Sequence, residues 1–221
     1  MTSHDVGDPA VAGVLDTLHH AARRDWRQAL LVLPRVLYGR ITGRSLMRSV
    51  TPSQLKRMYL PISRRDGQLL YALTRGADAR QVVEFGTSFG ISTLYLAAAV
   101  RGNGGGRVVT TEIEPSKCAA AEASIRQAGL DDVAEVWRGD ALHTLNDLEG
   151  PVDLVFLDGW KNLYLPVLEL LTPKLRRGAL VVADNANFAD ARPYLAHVRG
   201  SAEFVSALLP GGRMEWSWYL P

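Results

Sequence analysis

Gln81-Val-Val-Glu-Phe-Gly-Thr-Ser-Phe-Gly-Ile-Ser-Thr-Leu94 decides the fold. A short strand-like run ends in a turn with glycines at 86 and 90, and an apolar helical pattern opens directly behind it. The unit then recurs. Strands are predicted over 81–85, 107–113, 133–138, 152–157 and 179–183, with helices over 91–100, 115–128, 141–148 and 163–175. Regular alternation of this kind implies an α/β, Rossmann-like architecture, a mostly parallel sheet with helices wound on both faces. Downstream, Pro210-Gly-Gly212 separates runs at 204–209 and 213–220, the pattern of a C-terminal antiparallel hairpin.

Upstream of the repeat the pattern is helical. Pro9 is a good first helical residue, and Val11, Val14, Leu15, Leu18, Ala22, Trp26 and Leu30 recur at helical spacing until Pro34. Weaker helical stretches follow at 54–59 and 64–75. The chain thus divides into an N-terminal helical extension over 1–55 and an α/β domain over 56–221. The leading helix has the length and apolar face to pack on a second subunit, which allows a homodimer through the N-terminal helices.

Composition narrows the class. With 221 residues, 47% of them hydrophobic, the chain can bury a substantial core and is not disordered. A net charge of +2 gives no basis for binding nucleic acid or an anionic membrane. Arg35, Arg40, Arg44 and Arg48 read as a solvated helix face or a dimer contact. The single cysteine, Cys118, cannot form an internal disulfide and reads as an inert packed thiol in a reducing compartment. Neither a signal-length apolar run at the N-terminus nor a stretch of 18 apolar residues is present, so a soluble cytoplasmic protein is expected. His4, His19, His20, His143 and His197 show no metal-ligand spacing.

In a parallel sheet the strand ends converge on one crevice. Five of them carry polar residues. In the first turn, Ser88 stands where a dinucleotide fingerprint needs its second glycine, so the loop suits a cofactor lacking a pyrophosphate. Glu84 would repel phosphates but favour an ammonium or sulfonium group. Glu112, ending the second strand, is placed to take both hydroxyls of a ribose, and Gly139-Asp-Ala141 to frame an adenine edge. Together these fit S-adenosylmethionine better than NAD.

Asp158 follows the fourth strand within Phe156-Leu-Asp-Gly-Trp-Lys161, and Asp184 and Asn185 follow the fifth. Two carboxylates and an amide oxygen suit magnesium or another hard divalent cation, leaving positions open for two neighbouring hydroxyls. Lys161, three residues beyond Asp158, can face the same crevice and accept a hydroxyl proton. Trp160 could lay its indole on adenine. Taken singly, each has an ordinary reading: a helix cap, a turn, a solvated lysine. Their conjunction carries the functional one.

The sequence resembles the cation-dependent S-adenosylmethionine O-methyltransferases, and among them the catechol O-methyltransferases most, over about residues 58–220. The matching segments are Leu60-Pro-Ile-Ser63 with Gly67, Glu84 to Ser92, Thr111-Glu-Ile-Glu-Pro115, Val155 to Lys161 with Tyr164, Ala183-Asp-Asn185 and Leu195-Ala-His-Val-Arg-Gly-Ser201. The resemblance implies a class I methyltransferase fold. It makes Asp158, Asp184 and Asn185 the magnesium ligands and Lys161 the general base. It lines the cofactor site with Ile62, Glu84, Gly86, Ser92, Glu112 and Trp160, beside Thr87, Ser88, Ile113 and Asp158 of the same segments, with Asp140 and Ala141 from the end of the third strand. Glu215 aligns with the glutamate that orients the acceptor, alongside Lys161 and Asn185, if one residue is inserted near Gly211-Gly212. The implied partner is a small phenolic acceptor with two adjacent hydroxyls, with no role for nucleic acid or membrane. Three positions depart from the pattern: Gly159 replaces a histidine, Met58 an aromatic over the acceptor ring, and Asp140 a small residue. Two rivals stay open, a metal-independent methyltransferase acting on RNA or protein, whose activity would survive EDTA, and a cofactor-binding protein without catalysis.

Overall fold

The computed structural model describes residues 6–24 and 62–221. Met58, the arginine series at 35–48 and the helical stretch at 54–59 lie outside the described residues. Seven strands form one sheet: β1 (Gln81–Phe85), β2 (Arg107–Glu112), β3 (Ala134–Arg138), β4 (Val152–Leu157), β5 (Leu175–Ala183), β6 (Phe204–Leu208) and β7 (Glu215–Tyr219). Their order is β3-β2-β1-β4-β5-β7-β6. The first five run parallel, and β7 lies antiparallel to both β5 and β6. Strand order reverses between β1 and β4, which opens a crevice at their carboxyl ends.

Alternation along the strands decides which side chains face which helices. Val82, Val108, Leu154, Phe156, Leu180 and Val182 share one core with α1 (Pro9–Arg24), α2 (Arg64–Gly76), α3 (Ile91–Gly102) and α4 (Pro115–Gln127). Val83, Phe85, Val109, Val155, Leu157, Val181 and Ala183 face the other way, under α5 (Ala141–Thr144), α6 (Tyr164–Leu171) and α7 (Arg192–Gly200). The apolar face of α1 is turned to this chain's own core: Val11 and Leu15 are fully buried in it, and Asp16 pairs with Arg64 of α2 at 2.5 Å. In α1, that face is therefore taken up within the chain.

Most expected elements appear within a residue or two, and the exceptions have local causes. β5 begins at Leu175 because Arg176-Arg177-Gly178 forms an irregularity inside the strand: the register jumps from Val152↔Leu175 to Leu154↔Leu180, and Gly178 has φ +78°. Arg176 there reaches Asp153 at 2.5 Å, so polar residues interrupt the apolar run without ending the strand. Residues 163–175 hold the shorter α6, closed by a 3₁₀ turn, Thr172–Lys174, around Pro173. Helix α7 has no counterpart in the periodicity, which is short and half-exposed there. Cys118 is buried, and burial pushes its thiol up to about 11, which keeps it protonated. Among the described residues no helix is long and apolar enough to cross a membrane.

Candidate active site

The crevice is narrow because two loops meet backbone to backbone. Gly86, after β1, has φ +103°, and a Cβ there would stand 2.7 Å from the Gly159 nitrogen and 2.8 Å from the Asp158 carbonyl carbon. Only glycine fits. Gly159 is constrained from the other side, since a Cβ on it would meet the Phe85 ring at 2.5 Å. The histidine of the resembled family has no room in this packing.

On the β1–β2 side, acidic groups are held by backbone amides and hydroxyls. Glu112 accepts from the Ser88 amide and from the Glu114 amide, both at 2.9 Å, with Ser88 at φ +49°. Thr87 is buried, its hydroxyl 2.6 Å from that of Thr110. Glu84 is fully buried. Its Oε2 accepts from the Thr93 hydroxyl at 2.5 Å, while its Oε1 has no partner. Burial raises this carboxyl to about 7, against the pull of the neighbouring Ser92, Thr110 and Thr93 hydroxyls, and the Asp158 charge adds to the rise. A buried acid with an unpartnered oxygen and a second carboxylate nearby calls for a cation. Ile113 beside Glu112 is 49% exposed, an apolar surface open to a flat ligand. Ile62, Ser92 and Ala141 are buried, and Trp160 is half-buried against the core below α6. Asp140 is an exposed cap for α5, accepting from the Leu142 amide at 3.0 Å.

On the β4–β5 side, charges are held by other charges. The register pairs Leu157 with Ala183, so Asp158 and Asp184 follow at adjacent strand ends, anchored by amides bonded to Phe85 O and Leu157 O, both at 2.9 Å. Lys161, buried, donates to Asp158 Oδ1 at 3.1 Å and to the Tyr164 hydroxyl at 2.7 Å. That hydroxyl donates in turn to Asp184 O at 2.9 Å. Burial pushes the Tyr164 phenol well above its ordinary range, which keeps this donor protonated. Burial also raises Asp158 to about 6; Lys161 opposes the rise and Asp184 adds to it. Asn185, at φ +52°, donates its amide to Asp184 Oδ1 at 2.7 Å. Arg213 reaches both oxygens of Asp184.

The structure thus brings Asp158, Lys161, Asp184 and Asn185 together, facing the Gly86 loop. Among the described residues no three His, Cys, Asp or Glu side chains gather as a cation cage. What is present is two carboxylates and an amide, a sparse oxygen set of the kind magnesium accepts while keeping water or substrate. Glu215 differs. It opens β7 in register with Ala183, yet its carboxylate is fully buried and takes a two-pronged ion pair from Arg199, at 2.8 and 2.7 Å, and the Ser206 hydroxyl at 2.8 Å. None of these contacts leads to the Asp158–Asp184 cluster.

Three participants were not assigned a role from sequence. Tyr164 lies three residues beyond Lys161, a spacing that could have flagged it. Arg199 and Arg213 carry no such signal, because their partners lie 16 and 29 residues away.

Comparison with known proteins bears on this site. A methyltransferase-domain family model matches residues 83–186, which span it from β1 to Asn185. Catechol O-methyltransferase of Mycobacterium tuberculosis is 41% identical over 128 residues, and the match covers 57% of this chain and 57% of that protein. The chain therefore spans little more than half of that relative. Catechol O-methyltransferase of Sus scrofa is 31% identical over 156 residues, 67% of this chain and 83% of that protein. Among solved structures, the O-methyltransferase TomG of Streptomyces achromogenes, in complex with S-adenosylmethionine, aligns with a TM-score of 0.65 at 27% identity, covering 73% of this chain and 82% of that one.

Proposed function

The chain belongs to the catechol O-methyltransferase-like family of O-methyltransferases, and from that premise we propose a specific reaction. Its residues 56–221 transfer the methyl group of S-adenosylmethionine to one hydroxyl of an ortho-diphenol, with magnesium or a similar cation. The observation that carries this reading is the pair of acids at adjacent strand ends, Asp184 buried and Asp158 partly buried, with the Lys161 amine 3.1 Å from Asp158.

S-adenosylmethionine supplies an electrophilic methyl on a sulfonium centre. Glu84, with its unpartnered oxygen, supports the cationic end of that molecule, and Glu112, fixed by two amides, supports the ribose hydroxyls. Ile113 and Trp160 offer apolar surface to the adenine, flanked by Asp140 and Ala141. Asp158, Asp184 and Asn185 would hold the cation. When bound, it would lower the pKa of an acceptor hydroxyl and hold the neighbouring oxygen in place. Lys161, as the free amine, accepts the hydroxyl proton as the acceptor oxygen attacks the methyl carbon, the sulfur–methyl bond breaking to release a neutral thioether. Tyr164 fixes the amine at 2.7 Å, so the base is aimed before the acceptor arrives. Glu215 would orient the acceptor's second hydroxyl only by sharing a carboxylate already taken by Arg199.

A methyl-transfer assay over matched ortho-diphenols and monophenols, with and without magnesium, tests this. Diphenols should be methylated and monophenols not, with activity lost to EDTA and restored by the cation. Equal rates on both classes, or full activity in EDTA, would overturn it in favour of the metal-independent rival.

A further inference from the structure

Arg213 forms a charge link across the cleft that the reaction above leaves unused. It sits in the turn between β6 and β7. Its Nη2 lies 3.3 and 3.1 Å from the two oxygens of Asp184, and its Nη1 lies 3.8 Å from Oδ2 of Asp66, in the first turn of α2. The backbone beneath is fixed, because the Ala186 amide donates to the Arg213 carbonyl at 2.8 Å. The arginine is thus anchored to the loop whose carboxylate it covers, while its side chain remains 45% exposed and Asp184 is almost wholly buried.

Both oxygens of Asp184 are engaged, by the guanidinium and by the Asn185 amide. A divalent cation needs the same lone pairs, and like charges at this distance repel. The two cannot share Asp184 at full strength. Asp66 offers the guanidinium another seat: 3.8 Å is an ion pair not yet closed to hydrogen-bond distance, and turning a long, exposed side chain can close it without backbone movement.

We infer that Arg213 is a positioning residue that sets the cation affinity of the site, giving up Asp184 for Asp66 as the cation binds. The inference rests on the cation reading of Asp158, Asp184 and Asn185.

The test is direct titration of the full chain with Mn²⁺, followed by calorimetry and by the electron paramagnetic resonance of free Mn²⁺, without cofactor or acceptor. Arg213→Gln should bind Mn²⁺ about fivefold more tightly than wild type, and Arg213→Lys, which keeps the charge, should return towards wild type. Asp66→Asn should weaken binding in wild type and do so much less in the Arg213→Gln background. Unchanged or weaker binding in Arg213→Gln, or the same Asp66→Asn effect in both backgrounds, overturns the exchange. Asp184→Asn separates the two readings. If it abolishes binding while Arg213→Gln leaves it unchanged, only the exchange falls; if it too leaves binding unchanged, the cation reading falls with it.

Discussion

At the ends of β1 and β2 the carboxylates are held by backbone amides and short hydroxyls, whereas at the ends of β4 and β5 the tips of lysine and arginine join in, beside a single backbone amide, that of Asn185, on Asp184. Glu112 is fixed by two amides at 2.9 Å. Asp158 and Asp184 are balanced by Lys161 and Arg213. Amides belong to the scaffold and cannot leave. Side-chain cations can be displaced, because a long stem needs only a rotamer change to move its charge. The first half is therefore suited to recognising one molecule in one pose, the second to exchanging one positive charge for another during a reaction cycle.

Three substitutions would break or sharpen that contrast. The largest effect is expected for Lys161→Ala, which removes the proton acceptor: turnover should fall on the order of 10²- to 10⁴-fold, while the cofactor dissociation constant, read by calorimetry, stays near wild type. A comparable loss of cofactor affinity would mean that the halves are not separate. Next, Glu112→Ala removes a charged acceptor from the amide-held side. Cofactor affinity should drop roughly 10- to 100-fold, with turnover at saturating cofactor much less affected; a loss of under threefold would deny that side its assigned role.

The third concerns stability rather than turnover or affinity, through Glu84, raised from 4.5 to about 7 by burial. The folded chain holds this proton more tightly than the unfolded chain does. Stability from this group is thus complete below pH 4.5 and is lost as pH rises through about 7, by roughly 3 kcal/mol at most. A cationic ligand favours the ionised form, so cofactor binding near neutrality should release a proton, measurable as a dependence of binding heat on buffer ionisation enthalpy. Glu84→Gln should flatten the denaturation profile between pH 5 and 8 and abolish the proton release. Persistence of either would assign the titration elsewhere.

The fold was legible in the sequence because its signal is periodic and local. The runs at 81–85 and 152–157 match β1 and β4 residue for residue. What escaped was non-periodic: β5 continues through Arg176-Arg177-Gly178 because a partner strand accommodates the jump in register, and α7 buries only Tyr194 and Val198, too few apolar positions to mark a face. The same division holds in the site. Residues that follow a strand end, such as Asp158 and Asp184, are placed by topology and can be read in advance. Arg213 could not, since its role depends on a hairpin folding back beside β5, and the carboxylate of Glu215 is engaged by an arginine on a helix that periodicity did not reveal.

The contact of Gly86 with Asp158 and Gly159 has a mechanical meaning. Two main chains that touch without an intervening side chain leave no soft layer to absorb movement, so displacing one loop by a few tenths of an ångström passes to the other almost undiminished. Whatever seats itself in the first loop also adjusts the aim of the acid on the second. Donor and metal would then sense one another through the backbone, before an acceptor comes between them.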